Sequence, residues 1–137
     1  MIIADTGAIV ALIDKSDRHH AALTALYEEG PDRWVLPWAI LPEVDYLVGS
    51  CLGPRAEEAF LADLADGLFH VEWGTESDLA RAHEVSRRYR SLSLGLVDGI
   101  VVAVAERLRA EAIATLDLRH FGALAIKGSP ALWPRDR

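Results

Sequence analysis

The first fourteen residues, MIIADTGAIVALID (1–14), set a short apolar run directly against an acid. Ile2 to Ala4, bounded by turn-forming residues, suits a strand buried on both faces, as strands of parallel sheets are. Ile9, Leu12 and Ile13 recur at helical spacing, which predicts a helix from Ala8 to about Asp14. The stretch therefore reads strand, acid, helix. The order returns near the other end, where AIATLD (112–117) carries a strand over Ala112 to Leu116 and then Asp117.

Between these blocks the pattern keeps alternating. Ser16-Asp17 offers an N-cap for a second helix that ends at Gly30 before Pro31. Trp34-Val35-Leu36 reads as a second strand. Pro42 suits the first turn of a helix in which Val44, Leu47, Val48 and Cys51 form one stripe, and Gly53-Pro54 divides it from a helix over Arg55 to Ala65. Leu68 to Trp73 has the composition of a third strand. A helix from Glu76 to Arg90 turns Leu79, Ala82, Ser86 and Tyr89 inward, the turn-rich SLSLG (91–95) follows, and a strongly apolar helix runs from Val97 to Arg109. Ala123 to Ile126 is expected as a fifth strand and the last ten residues as a surface tail. Strands alternating with helices predict an α/β fold, a central parallel sheet of about five strands with helices on both faces.

A chain of 137 residues, 51% hydrophobic and 26% charged, suits one globular domain spanning 1–137. Fourteen basic residues against 21 acidic ones give a net charge of −7, so no general basic field attracts nucleic acid. A polyanionic substrate then needs a local basic patch or a bound cation. Cys51 is the single cysteine, which excludes intrachain disulfides and Cys-rich zinc sites, and it reads as a small buried apolar residue. Asp5 interrupts the N-terminal apolar run before a leader could form, and no apolar run approaches the roughly 20 residues of a membrane helix. A soluble cytoplasmic protein is the expectation.

The acids carry the chemistry. Asp5 and Asp117 follow strands, where ligands bind in open α/β sheets. Glu43 lies in the first turn of its helix in line with Leu47 and Cys51. Asp45, two positions on, points away and serves as a solvated control. Asp98 opens the most apolar helix, in a row with Val102 and Ala105. Any one of these is accounted for as an N-cap or as a charge on a helix dipole, worth about 0.3–1 kcal/mol. Together they come from four separate segments to one edge of the sheet. Gathered carboxylates repel unless protonated or bridged by a cation, and hard oxygen donors without Cys or clustered His select Mg²⁺ or Mn²⁺. That combination leads to metal-assisted phosphodiester hydrolysis.

The blocks IIADTGAIVALID (2–14), LPEVDYLV (41–48), LGLVDGIVVAVAERL (94–108) and IATLDLRHF (113–121) together resemble a PIN-domain ribonuclease of the VapC toxin type, from Ile2 to about Ile126. The resemblance implies a PIN-like three-layer fold in which the strands carrying Asp5 and Asp117 are neighbours. It implies Mg²⁺- or Mn²⁺-dependent endonuclease action on RNA, a homodimer and a small cognate antitoxin. Asp5, Glu43, Asp98 and Asp117 match the acidic constellation. Asp5, Asp98 and Asp117 would hold the ion or ions, with Glu43 completing the cage or positioning water. Thr115 matches the hydroxyl position before the last acid, and Thr6 helps hold Asp5. Gly99 stands where many relatives have Ala, which lowers helix propensity by about 1 kcal/mol.

Other readings stay open at this point. A non-toxin RNA-processing nuclease of the same family fits the same residues. Asp5-Thr6-Gly7 also resembles the triplet of retroviral-type aspartic proteases, though those are nearly all β, and a phosphotransferase would place an acid where Gly7 stands. A non-catalytic module would use the acids only as caps. His83, Arg87 and Arg90 share a helix face that could touch phosphate or simply be solvated, and Glu84 can pair with Arg88. Arg119 and His120 adjoin Asp117 and could meet a substrate backbone. His19 and His20 read as exposed at a helix start. The four tryptophans read as packing, and Tyr46, beside the stripe containing Leu47, reads with Leu23, Leu26 and Tyr27 as an apolar surface for a dimer or an antitoxin helix.

Overall fold

The structure, a computed structural model, describes all 137 residues. Five short strands form one parallel sheet: β1 (Ile2–Ala4), β2 (Trp34–Pro37), β3 (His70–Glu72), β4 (Ala112–Ala114) and β5 (Ala131–Trp133). The spatial order is β3-β2-β1-β4-β5. The chain steps outward from β1 through β2 to β3, then returns to the other side of β1 for β4 and β5. The carboxyl ends of β1 and β4 thus flank the reversal, which is where open α/β sheets form their ligand crevice. Ile2 pairs with both Trp34 and Ala112, and Ala4 with Ala114, so Asp5 and Thr115 leave neighbouring strands at one level.

Seven helices cover the sheet: α1 (Thr6–Ile13), α2 (His20–Glu28), α3 (Leu41–Leu52), α4 (Pro54–Ala65), α5 (Glu76–Arg88), α6 (Leu96–Arg107) and the one-turn α7 (Leu118–Phe121). None is long and apolar enough to cross a membrane. One cluster of 33 buried residues forms the core, and both central strands are wholly buried, which explains their unbroken apolar sequence. α6 is buried continuously from Gly99 to Ala105 and packs along α5. Each fully buried Ile or Val there contributes about 1.5–3 kcal/mol. A Cβ on Gly99 would lie 2.8 Å from Ala82 Cβ and 2.9 Å from Ala82 Cα, so the missing methyl is what lets α5 and α6 approach.

Several expectations need correction. Ala123–Ile126 is not a strand; the fifth strand is Ala131–Trp133, inside the segment expected to be a surface tail. Thr115 N–H donates to Trp133 O, and Arg33 and Arg137 stand over the Trp133 ring at 5.9 and 4.8 Å, so this end is built into the fold. The prolines at 130 and 134 disguise the strand, and Ile126 is buried without one. Cys51 is exposed because the i, i+4 row drifts round α3, and the stripe narrows to Val44 and Val48. On α5, Leu79 is exposed and Val85 takes the buried position. Trp73 is 73% exposed, unlike the buried Trp34 and Trp133. Leu23 and Leu26 are core residues, and Tyr27 stacks edge-on against Trp34, so the expected docking surface reduces to Tyr46. The cap position of α2 is His19 rather than Ser16 or Asp17, and the His20 ring binds Ala11 O, which leaves both histidines half-buried. Glu84 pairs with Arg81, not Arg88.

Candidate active site

Strand β1 ends where its apolar run ends, and Asp5 becomes the N-cap of α1. Its carboxylate accepts hydrogen bonds from Thr6 N at 2.8 Å and from Thr115 Oγ1 at 2.9 Å, and the residue is 6% exposed. Thr115, fully buried at the end of β4, also accepts from Asp117 N at 3.0 Å. One hydroxyl therefore fixes the two strand-end acids together. Asp117 caps α7 by accepting from His120 N. Glu43, in the first turn of α3 behind Pro42, accepts from Thr6 Oγ1 at 2.6 Å. Thr6 thus holds Asp5 through its backbone and Glu43 through its side chain. Asp98 enters from the first turn of α6.

His120 joins the remaining pair. Its Nδ1 lies 3.0 Å from Asp98 Oδ2 and 2.9 Å from Asp117 Oδ2. The ring nitrogen thus lies within hydrogen-bond reach of both carboxyl groups at once. The sequence reading placed His120 beside Asp117 as a substrate contact and missed this bridge. The signal available was spacing, since i and i+3 on a helical turn face each other.

Electrostatics tie the acids into one site. Burial pushes the Asp5 carboxyl up to about 6, the Thr115 and Thr6 bonds oppose that, and the charges of Asp98 and Asp117 add to it. Burial also raises Asp98, with His120 opposing and Asp117 and Glu43 adding. Each acid thus lies within the field of others. By contrast, Asp45 is half-buried and not the solvated control expected: its Oδ1 is enclosed, and its side chain raises the Glu57 pKa by hydrogen bonding across from α3 to α4. Arg119, Arg87 and Arg90 are exposed and stand outside the acidic cup.

The donor set fits a hard divalent cation. Single ligand atoms of Asp98, Asp117 and His120 lie within 4.8 Å of one another, and Asp5 adds a buried carboxylate under electrostatic pressure to find a positive partner. Hard oxygens with one imidazole and no thiolate suit Mg²⁺ or Mn²⁺.

A parallel sheet with a crevice of acids at its reversal defines a class. The family model described as PIN domain matches residues 2–127, and the chain belongs to the PIN-domain family. Its relatives are of the VapC type. Ribonuclease VapC26 of Mycobacterium tuberculosis is 33% identical over 123 residues, which cover 90% of this chain and 91% of that protein. Among solved structures, VapC20 of Mycobacterium tuberculosis, described as a sarcin-ricin loop cleaving toxin, is similar with a TM-score of 0.81 at 23% identity, over 95% of this chain and 99% of its own. The DNA-bound VapBC of Salmonella typhimurium is similar with a TM-score of 0.71 at 16% identity, over 96% and 95% of the two chains. The helical, parallel fold sets aside the aspartic protease reading of Asp5-Thr6-Gly7.

Proposed function

We propose that this chain is a divalent-cation-dependent endoribonuclease that hydrolyses RNA phosphodiester bonds and serves as the toxin of a toxin–antitoxin pair. The observation that carries the reading is the meeting of Asp5, Glu43, Asp98 and Asp117, from four segments, in mutual electrostatic contact. The ribonuclease name of the 33% identical relative supports the activity. Neighbouring folds solved as toxin–antitoxin complexes support an antitoxin partner. A homodimer acting on cytoplasmic RNA completes the proposal.

In this reading Asp5, Asp98 and Asp117 hold Mg²⁺ or Mn²⁺, with the His120 ring bridging Asp98 and Asp117 beside it. Bound there, the ion supplies neutralisation of phosphate charge and a water acidic enough to attack near neutral pH. Thr115 keeps Asp5 aimed at the crevice, and Thr6 keeps Glu43 from rotating away. Glu43, the most exposed of the four acids, accepts a hydrogen bond from the attacking water and orients it toward phosphorus. Arg119, exposed beside Asp117, meets the substrate backbone.

The test is incubation of purified protein with total RNA in Mn²⁺ or EDTA, beside Asp5→Asn. Cleavage in Mn²⁺ that is lost in EDTA and in the folded variant is the expected result. Full activity in EDTA overturns the reading.

A further inference from the structure

α5 ends, and α6 begins, around a cavity of about 340 Å³ lined by His83, Ser86, Arg87, Arg90, Ser93 and Leu94. Its lining contains three potentially cationic side chains and no acid, on a chain whose net charge is −7. Arg33, Arg81, Arg107, Arg135 and Arg137 are committed to carboxylates, whereas Arg87 and Arg90 form no ion pair. Their charge is therefore available to a ligand. The wall is also built rather than incidental. Ser86 Oγ donates to Leu94 O at 3.0 Å and ties α5 to the turn before α6, Ser93 holds a left-handed conformation at φ 54°, and Leu94 is 5% exposed beneath it.

The chain links the cavity to the acidic cup through the start of α6. Leu94 precedes Asp98 by four residues, so at full extension their Cα atoms are at most about 14 Å apart. RNA that enters a cup of four carboxylates is repelled there and needs cations next to it. A planar guanidinium offers paired donors matched to a phosphate, which a solvated helix face does not require.

We propose that His83, Arg87 and Arg90, with the Ser93 hydroxyl, form a backbone subsite for single-stranded RNA that grips phosphates beside the scissile one, while Ser86 braces its wall. The proposal rests on the ribonuclease reading and deepens it by assigning the strand's path along the α5–α6 junction. Contacts there are to phosphate, so they set affinity and salt dependence and leave base preference to other residues.

The test measures binding of a short fluorescent single-stranded RNA to Asp5→Asn protein across a KCl titration in Mg²⁺, with and without Arg87→Gln plus Arg90→Gln. Arg88→Gln is the control, since that guanidinium stacks on Tyr89 at 5.4 Å and lies outside the cavity. Loss of two phosphate contacts lowers affinity by about tenfold and flattens the slope of log K against log salt by about 1.4, because each contact to a single strand contributes about 0.7. The control keeps the parent slope. Equal affinity and slope with and without the two arginines overturn the subsite. Wild-type cleavage of total RNA in Mn²⁺ reads the ribonuclease assignment separately, so the two can fail independently. A thermal melt of the double variant that matches its parent establishes that folding is intact.

Discussion

The two ends of α6 hold acids in opposite surroundings. At the last turn, Arg107 donates to Asp78 at 2.9 and 3.0 Å and to Glu72 at 2.9 Å, while Arg81 forks onto Glu106 one position earlier. Asp78 is 2% exposed, and burial would raise its pKa, yet the Arg107 bonds and the Thr75 backbone hold it below its ordinary value. At the first turn, Asp98 meets Asp117, Asp5 and Glu43, and no guanidinium bonds to any of them. Burial there meets no guanidinium, and the Asp5 and Asp98 pKa values rise. Arginine makes the difference between a structural acid and one poised for a cation.

Removing the arginine breaks the comparison at its paired end. Arg107→Met leaves Asp78 buried without its partner and is expected to cost about 3–5 kcal/mol, read by urea denaturation at neutral pH. The same variant loses the acid-side dependence that Asp78 supplies. A carboxylate with a lowered pKa stabilises the fold above its ordinary value and gives that up as pH falls through the folded one.

At the poised end the sign reverses. Asp5 is raised from 3.8 to about 6, so the folded state favours its neutral form. Its contribution is present at low pH and is lost as pH rises from about 4 through about 6. Asp5→Asn should therefore stabilise the metal-free protein at pH 7 by about 1–3 kcal/mol and remove the decline across that window, read by thermal melts in EDTA. A variant melting no higher than wild type at pH 7 argues against the strain.

A smaller effect sharpens where the two ends are joined. Gly99→Ala presses a methyl onto Ala82 beside the acidic end. Overpacking costs about 1–3 kcal/mol and Ala returns about 1 kcal/mol of helix propensity, so a net loss of up to roughly 2 kcal/mol is expected in urea denaturation. The sequence reading saw only the propensity. The approach of two helices some seventeen positions apart in sequence has no local signature.

The same limit governs the rest of the reading. Strands β1 and β4 and the acids that follow them were legible because burial on both faces leaves an unbroken apolar run and a strand-end acid interrupts it conspicuously. Glu43 and Asp98 were legible as first-turn acids beside buried rows. Asp78 was not, since its partner Arg107 lies 29 residues away in a different helix. Strand β5 was hidden because three residues between prolines carry no periodicity, and its identity as a strand comes from pairing with β4. His120 was seen as a neighbour of Asp117 but not as a bridge to Asp98, which only the docking of α6 supplies.

Calorimetric titration of the folded protein with Mn²⁺ tests the cation cup most directly. Wild type is expected to bind, and Asp5→Asn and Asp98→Asn each to bind at least about tenfold more weakly while Arg87→Gln does not differ from wild type. A wild-type protein that takes up no Mn²⁺, or that binds it equally well without Asp5 and Asp98, contradicts the account.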